Sequence, residues 1–307
     1  MSLALCMIVK DEVNRIAGCL DPVFGLLDEL IVIDTGSTDG TPGLIERRYG
    51  VKPLPGALEE ARCFCKSDLR NSAYERASTD WILSLDADER IDPAALERWR
   101  RMAHAPGVAG YFGAWINRPE GEADYEDYKL FLFRRGFRKR GVVHENVQVD
   151  LREKGAVAGW LDGLVVHHHP EGAKQPAKNE WYRRRLECGL RLDPGWRRYD
   201  WFLGYMSWQE GRVADALAHL GIAARSRSTL FPVECLNAAM VLAEIYARRG
   251  EREALAATLA SAQSFFDEAA GDFEVRINFR LGPWLRAAAA AGERGELEAI
   301  RAYRFAR

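Results

Sequence analysis

The chain has 307 residues, 48% of them hydrophobic and 29% charged, with a formal net charge of −2. That length exceeds what one typical core organises, so a larger and a smaller domain are expected, and a charge so near neutrality argues against a nucleic-acid partner. No run of about 18 apolar residues occurs, so no membrane span is expected. The opening Met1-Ser2-Leu3-Ala4 lacks a basic flank and reads as the approach to a first strand rather than a signal peptide, which makes a cytoplasmic location the matching expectation. In that setting the six cysteines, Cys6, Cys19, Cys63, Cys65, Cys188 and Cys235, read as free thiols, without the spacing of a zinc knuckle.

In chain order, Leu3–Val9 is a short apolar run with the pattern of a buried strand, and residues 11–27 carry apolar positions at helical spacing. Leu30–Ile33 is a second strand, stopped by Asp34-Thr35-Gly36-Ser37. Thr38–Tyr49 and residues 71–79 read as helices. Trp81–Leu85 is a third strand, ending in Asp86-Ala87-Asp88-Glu89. Asp92-Pro93 then opens a helix, with Asp92 as N-cap and Pro93 at the first helical position. This alternation predicts an α/β domain with a mixed, mainly parallel sheet flanked by helices. Further strands are expected over Val108–Ile116, Lys129–Arg134, Val142–Val149 and Leu164–His169, with an acidic loop at 117–128 and a linker at 170–179. Beyond residue 180 the chain is Ala- and Leu-rich and helical. Two segments there carry the small-and-large spacing of tetratricopeptide-like repeats, with turn glycines Gly211 and Gly250. The expected organisation is a catalytic domain of residues 1–175 and an all-α helical-repeat domain of residues 176–307.

In an open α/β sheet, ligands bind beyond the carboxyl ends of the strands. Acidic groups stand there after all three of the first strands: Glu12, Asp34, and the pair Asp86 and Asp88. The segment Val32-Ile33-Asp34-Thr35-Gly36-Ser37-Thr38-Asp39-Gly40-Thr41 resembles the signature of family 2 glycosyltransferases, which have the GT-A fold. Ile8-Val9-Lys10-Asp11-Glu12 resembles that family's first motif, and Ser84-Leu85-Asp86-Ala87-Asp88-Glu89 resembles its DxD motif.

The resemblance implies a hexosyltransferase that uses a nucleoside diphosphate sugar, UDP-linked, with inversion and with Mn²⁺ or Mg²⁺. Such an ion prefers carboxylate ligands and neutralises charge on a departing diphosphate. It also implies that Asp88 ligates the metal directly, that Asp86 acts on the ribose or through water on the metal, that Asp34 hydrogen-bonds the base, and that Glu12 sits near base or ribose. Turn and helix-cap roles are the structural alternatives for these acids, and Ser37 and Asp39 are read as caps.

Leu130-Phe131-Leu132-Phe133-Arg134-Arg135 followed by Gly141-Val142-Val143-His144-Glu145 resembles a subgroup of the same family. An inverting transfer needs a group to take the acceptor proton. Glu145 is the first candidate, His144 the second and Asp127 the third; for Glu145 an ion pair with Arg134 or Arg135 is the alternative. In Val165-Val166-His167-His168-His169, the first and third histidines share a strand face, and the subgroup has a histidine about here that could be a further metal ligand. His167 is favoured, then His169.

The helical half carries Trp181, Tyr182, Trp196, Tyr199, Trp201, Tyr205 and Trp208 among arginines, a composition suited in part to a glycan, lipopolysaccharide or peptide acceptor, or to a homodimer. Two rival readings are a sugar-phosphate nucleotidyltransferase, which would bring a Gly-rich N-terminal loop, and a non-catalytic helical-repeat scaffold with an inactive GT-A domain.

Overall fold

The run Leu3–Val9 forms strand β1, buried at six of its seven positions, and so lies inside a sheet rather than at its edge. The computed structural model describes residues 1–102, 104, 106–118, 124–170, 176–269 and 281–303. The chain divides into two units, Met1–Gln175 and Pro176–Arg307.

In the first unit β2 (Glu29–Asp34) and β4 (Trp81–Ser84) flank β1 in parallel, and the two-residue β3 (Leu54–Pro55) continues beyond β2. The sheet then changes direction. β7 (Tyr125–Arg134) runs antiparallel to β4, and β6 (Val108–Asn117) antiparallel to β7. β8 (Val157–His168) pairs parallel with β6, and the short β5 (Glu89–Ile91) closes the far edge antiparallel to β8. The order β3-β2-β1-β4-β7-β6-β8-β5 makes one mixed, mainly parallel eight-stranded sheet.

Helices α1 (Ile16–Leu20), α2 (Thr41–Tyr49), α3 (Lys66–Arg76), α4 (Pro93–Arg101) and α5 (Gln148–Glu153) accompany it. In α4 the Asp92 carboxylate accepts from the Ala94 N–H at 3.0 Å and Pro93 opens the first turn, the cap that the sequence pattern specifies. Trp81, Trp99 and Phe131 are completely buried, with the Trp81 and Trp99 rings edge to face at 5.3 Å.

Three sequence expectations fail locally. Val142–Val149 is not a strand: only an isolated bridge, Arg140 to Asn146, occurs there, and α5 begins at Gln148. Gly141 at φ 109 and His144 at φ 51 break the extended backbone, so Val142, Val143 and Val147 are buried in a loop. An apolar run reports burial, and strand geometry needs uninterrupted β dihedrals as well. The acidic loop is shorter than 117–128, since β7 begins at Tyr125; residues 119–123 lie outside the described residues. Helix α6 (Pro176–Leu192) occupies the end of the expected linker, of which 171–175 lie outside the described residues.

The second unit continues with α7 (Arg198–Gln209), α8 (Val213–Ser226), α9 (Pro232–Arg249), α10 (Arg252–Ala269) and α11 (Leu281–Arg294). The α7–α8 and α9–α10 hairpins turn at Gly211 and Gly250, both left-handed at φ 75 and 70. Helix α9 packs against α7, α8 and α10 and buries 14 of its 18 residues. No helix among the described residues is long and apolar enough to cross a membrane. Cys6, Cys19, Cys65 and Cys235 are free and buried, and the free-thiol expectation does not hold at Cys63 and Cys188. A reading from compartment and composition carries no information on local sulfur geometry.

β6 and β8 approach closely at Gly113. A Cβ on Gly113 would stand 2.6 Å from the Leu164 carbonyl oxygen, a backbone atom that cannot swing aside. Gly113→Ala is therefore expected to cost about 1–3 kcal/mol in denaturant unfolding. Gly43→Ala, in the first turn of α2 and facing only the flexible end of Arg47, should instead stabilise by a few tenths to about 1 kcal/mol. Equal effects from the two changes would contradict this packing.

Candidate active site

Two loops meet beyond the carboxyl ends of β1 and β2 and are stitched together side by side. The Asp11 carboxylate accepts from Thr38 N at 2.7 Å, and Ser37 Oγ accepts from Asp11 N at 2.9 Å. The Asp39 carboxylate accepts from Val13 N, and Thr41 Oγ1 accepts from Glu12 N. Asp39 also accepts from Thr41 N at 2.9 Å, so it caps the start of α2 while tying the first loop down. Ser37 is not a helix cap: it bonds Asp34 and Asp11 instead.

Asp34, level with Val9 across the β1–β2 ladder, accepts from the backbone N–H groups of Gly36 and Ser37, which folds its own loop into a tight turn. Glu12 pairs with Arg15 at 2.6 Å. The two strand-end acids are thus carried on one braced pair of loops.

The third strand end adds a second wall. After β4 the chain turns through Asp86, Ala87 and Asp88 directly into β5, and the β5–β8 ladder sets Glu89 opposite His168. His168 Nε2 lies 3.4 Å from Asp88 Oδ2. Its other nitrogen, Nδ1, meets Asn117 Oδ1 at 2.7 Å, and the Asn117 amide nitrogen donates to the Trp115 carbonyl. That orientation turns Asn117 Oδ1 to Nδ1 as an acceptor and leaves Nε2 facing Asp88. Trp115 stacks on the ring at 4.7 Å and fixes its plane.

His168 is therefore the histidine that meets the DxD pair, in place of the expected His167 or His169. The triplet alternates faces along β8, and pairing with β5 and β6 decides which face is turned to Asp88. His167 Nδ1 is buried without a hydrogen bond, and His169 approaches Asp88 only through its backbone N–H. Among the described residues no group of three or more His, Cys, Asp or Glu side chains could by itself hold a metal ion. Asp88 and His168 face each other as a carboxylate–imidazole pair. Such a pair would suit a cation that completes its sphere with substrate oxygens and water.

Behind the pair lies a buried charge cluster. Arg70, on α3 and only 5% exposed, gives Nη2 to Asp86 at 2.6 Å and Nε to Glu145 at 3.2 Å. Lys129 Nζ lies 2.6 Å from Glu89 Oε1 and 3.7 Å from Asp86 Oδ2. Burial opposes ionisation of Asp86, but Arg70, Lys129 and Lys139 outweigh it and hold the carboxyl well below the usual range. Glu145 is held low in the same way, burial being overcome by Arg70 and Lys139. Burial pushes Glu89 up against the pull of Lys129. Lys139 is pushed down to about 7, by burial first and then by Arg70 and Lys129.

The partner of Glu145 is Arg70, not Arg134 or Arg135. Arg134 instead lies over the Trp81 ring at 4.8 Å. His144 is exposed on the loop beside Glu145, and Asp127 is an exposed position on the same sheet face as Lys129 and Trp115.

Arg70, Lys129, Lys139 and Asn117 are the site residues that sequence reasoning missed. Lys129 could have been found. It shares strand parity with the fully buried Phe131 and Phe133, and a lysine on the core-facing parity of an apolar strand needs a partner. Lys139, inside Arg138-Lys139-Arg140, carries no such signal.

Residues 4–152 match the family model described as Glycosyl transferase family 2. A TPR repeat-containing protein of Synechococcus elongatus is 32% identical over 62% of this chain and 49% of its own length. The lipopolysaccharide core biosynthesis glycosyltransferase LpsC of Rhizobium meliloti is 28% identical over 55% of this chain and 64% of its own. The chain thus spans about half to just under two thirds of these curated relatives. Among solved structures, S. aureus TarS 1–349 aligns with a TM-score of 0.47 at 12% identity, covering 100% of this chain and 94% of that one. The family match spans the three strand-end motifs, so residues 4–152 are similar to glycosyl transferase family 2.

Proposed function

We propose that the first unit transfers a hexose, with inversion, from a UDP-linked nucleoside diphosphate sugar to a hydroxyl or thiol of a glycan, lipopolysaccharide or peptide. The observation that carries this reading is the facing of Asp88 and His168 at the end of the third strand, beside the wall that carries Asp34 and Glu12. Asp88 and His168 would hold Mn²⁺ or Mg²⁺, which when bound neutralises charge on the diphosphate. Asp86 orders this corner through Arg70 and Lys129 and would meet the ribose. Asp34 would recognise the base, and Glu12 would lie near base or ribose.

Glu145 is the proposed proton acceptor, with His144 and Asp127 as the other candidates. The name of LpsC supports a lipopolysaccharide-type acceptor among the three classes. The second unit would supply the acceptor-side surface, or a dimer contact. Trp196, Tyr199, Trp201 and Trp208 are core, whereas Trp181 is 44% exposed with Arg185 over its ring at 4.6 Å. Many of the arginines are paired within the unit, Arg183 with Glu210 and Arg198 with Glu234, so Trp181 is the stronger contact residue.

A thermal-shift panel of nucleoside diphosphates with Mn²⁺, repeated with EDTA, tests the reading directly. One nucleotide should stabilise the protein, and EDTA should remove most of the shift. Asp88→Asn and His168→Ala should each weaken metal-dependent nucleotide binding by about tenfold or more, in line with loss of a metal ligand or its support. His167→Ala and His169→Ala should leave it unchanged. The assignment is lost if either of those two is the damaging variant.

Glu145→Gln should retain nucleotide binding and lose about 10²–10⁴-fold in transfer. The pH profile separates the proton-acceptor candidates. A carboxyl held below its ordinary value is deprotonated above that low pKa, so activity through Glu145 falls only as the pH drops below the usual glutamate range. An acid limb near pH 6–7 would point to His144. Trp181→Ala should raise the acceptor KM and leave the donor KM unchanged; the reverse result assigns the second unit no acceptor role.

A further inference from the structure

Arg90, in β5, directs its guanidinium at main-chain oxygens. Nη1 donates to the carbonyls of Ala87 at 2.7 Å and Glu89 at 2.9 Å, and Nη2 donates to the carbonyl of Arg15 at 3.0 Å. The first two carbonyls stand on either side of Asp88. The third belongs to the turn that starts at Glu12, whose own carbonyl accepts from Arg15 N and Ile16 N. One side chain thus spans the Asp86–Asp88 turn and the Glu12 loop.

The other carbonyls of the Asp86–Asp88 turn are met from elsewhere. Asp86 O accepts from Glu89 N at 3.0 Å and from Cys19 Sγ at 3.4 Å, and Asp88 O accepts from His169 N at 2.9 Å. Arg90 alternates with Glu89 along β5, so it leaves the opposite face of the strand, toward α1. Gly18 is a second and independent sign of the same contact. It lies inside α1, where glycine is a poor helix former. A Cβ there would stand 2.7 Å from Arg90 Nε and 2.9 Å from Nη2. The helix gives up propensity at the position where the guanidinium lies against it.

We propose that Arg90 is a positioning residue that seats the Asp86–Asp88 turn against the Glu12 loop, and so sets the span between the metal end and the base-and-ribose end of the donor site. This rests on the donor reading above. A planar fork reaches three carbonyls at set angles, whereas a lysine ammonium is a single point. The ligand that needs the span is one that engages both ends at once, a nucleoside diphosphate with its cation. A bare nucleoside engages one end only. Fixed spacing lowers the ordering cost of the first ligand and not of the second.

The test is calorimetric binding of the nucleoside diphosphate selected by the panel, with Mn²⁺, and of its nucleoside, to full-length wild type, Arg90→Met, Arg90→Lys and Gly18→Ala. Arg90→Met should weaken the diphosphate by about tenfold or more, as for loss of support behind a metal ligand, and the nucleoside by under about twofold. Arg90→Lys should fall between Arg90→Met and wild type. Gly18→Ala pushes the guanidinium aside without removing it. It should weaken the diphosphate by about threefold or more. Its melting temperature without ligand should stay at or above the wild-type value, because alanine favours the helix. That separation of affinity from stability is one that a merely structural role would not give, and it holds even if Arg90→Met fails to fold. In steady-state transfer the donor KM should rise and the acceptor KM stay unchanged.

Unchanged diphosphate affinity in Arg90→Met or in Gly18→Ala overturns the proposal. So does an equal loss for the bare nucleoside, or a change confined to the acceptor KM. A wild type that binds no nucleoside diphosphate removes the donor reading, and this inference with it. A wild type that binds beside unaffected variants removes this inference alone.

Discussion

The guanidinium of Arg70 joins three segments that are remote in sequence. It leaves α3, reaches Asp86 beyond β4, and reaches Glu145 on the loop that follows β7. A planar fork with several fixed donors can hold two carboxylates at set angles, which a lysine cannot do. Because Arg70 is buried, the three charges form a mutually dependent set. Removing either acid would leave the guanidinium short of a partner inside the protein, and removing the guanidinium would leave two carboxylates facing each other. The DxD corner and the VHE loop, the two parts from which metal binding and proton transfer are proposed, are therefore held at a common distance by one side chain.

The second constraint comes from strand pairing. β5 is only three residues long, yet its pairing with the end of β8 brings His168 to Asp88. The pairing also fixes which of three consecutive histidines arrives. Asn117 and Trp115, on neighbouring β6, then hold the Nδ1 side and the plane of the ring. The arrangement is preorganised because each supporting group sits on a ladder rather than on a free loop.

Much of this was legible in the sequence, and the missing parts have a common character. β1, β2, β4 and α4 follow from apolar runs and cap chemistry, and the acids Glu12, Asp34, Asp86 and Asp88 follow from their place after those strands. The helical hairpins follow from Gly211 and Gly250. What stayed hidden depends on pairing between distant segments. Parity along one strand shows that His167 and His169 share a face, but the choice of face belongs to β5 and β6. The Val142–Val149 run shows that a segment is buried, but not that Gly141 and His144 take left-handed dihedrals there. Arg70 and Lys139 gain their significance only from neighbours 16 and 75 positions away, or from a clamp supplied by Asn71.

The paired loops after β1 and β2 carry a consequence for how a ligand enters. Four hydrogen bonds run between them in parallel, Asp11 to Thr38, Ser37 to Asp11, Asp39 to Val13 and Thr41 to Glu12. Asp11 holds a left-handed backbone at φ 55, which is uncommon for a residue other than glycine and is braced here by those same bonds. Separating the loops would break several bonds at once and release that brace, so partial opening gains little. The wall behaves as a fixed jamb, and a ligand that reaches it meets Asp34 and Glu12 already in place.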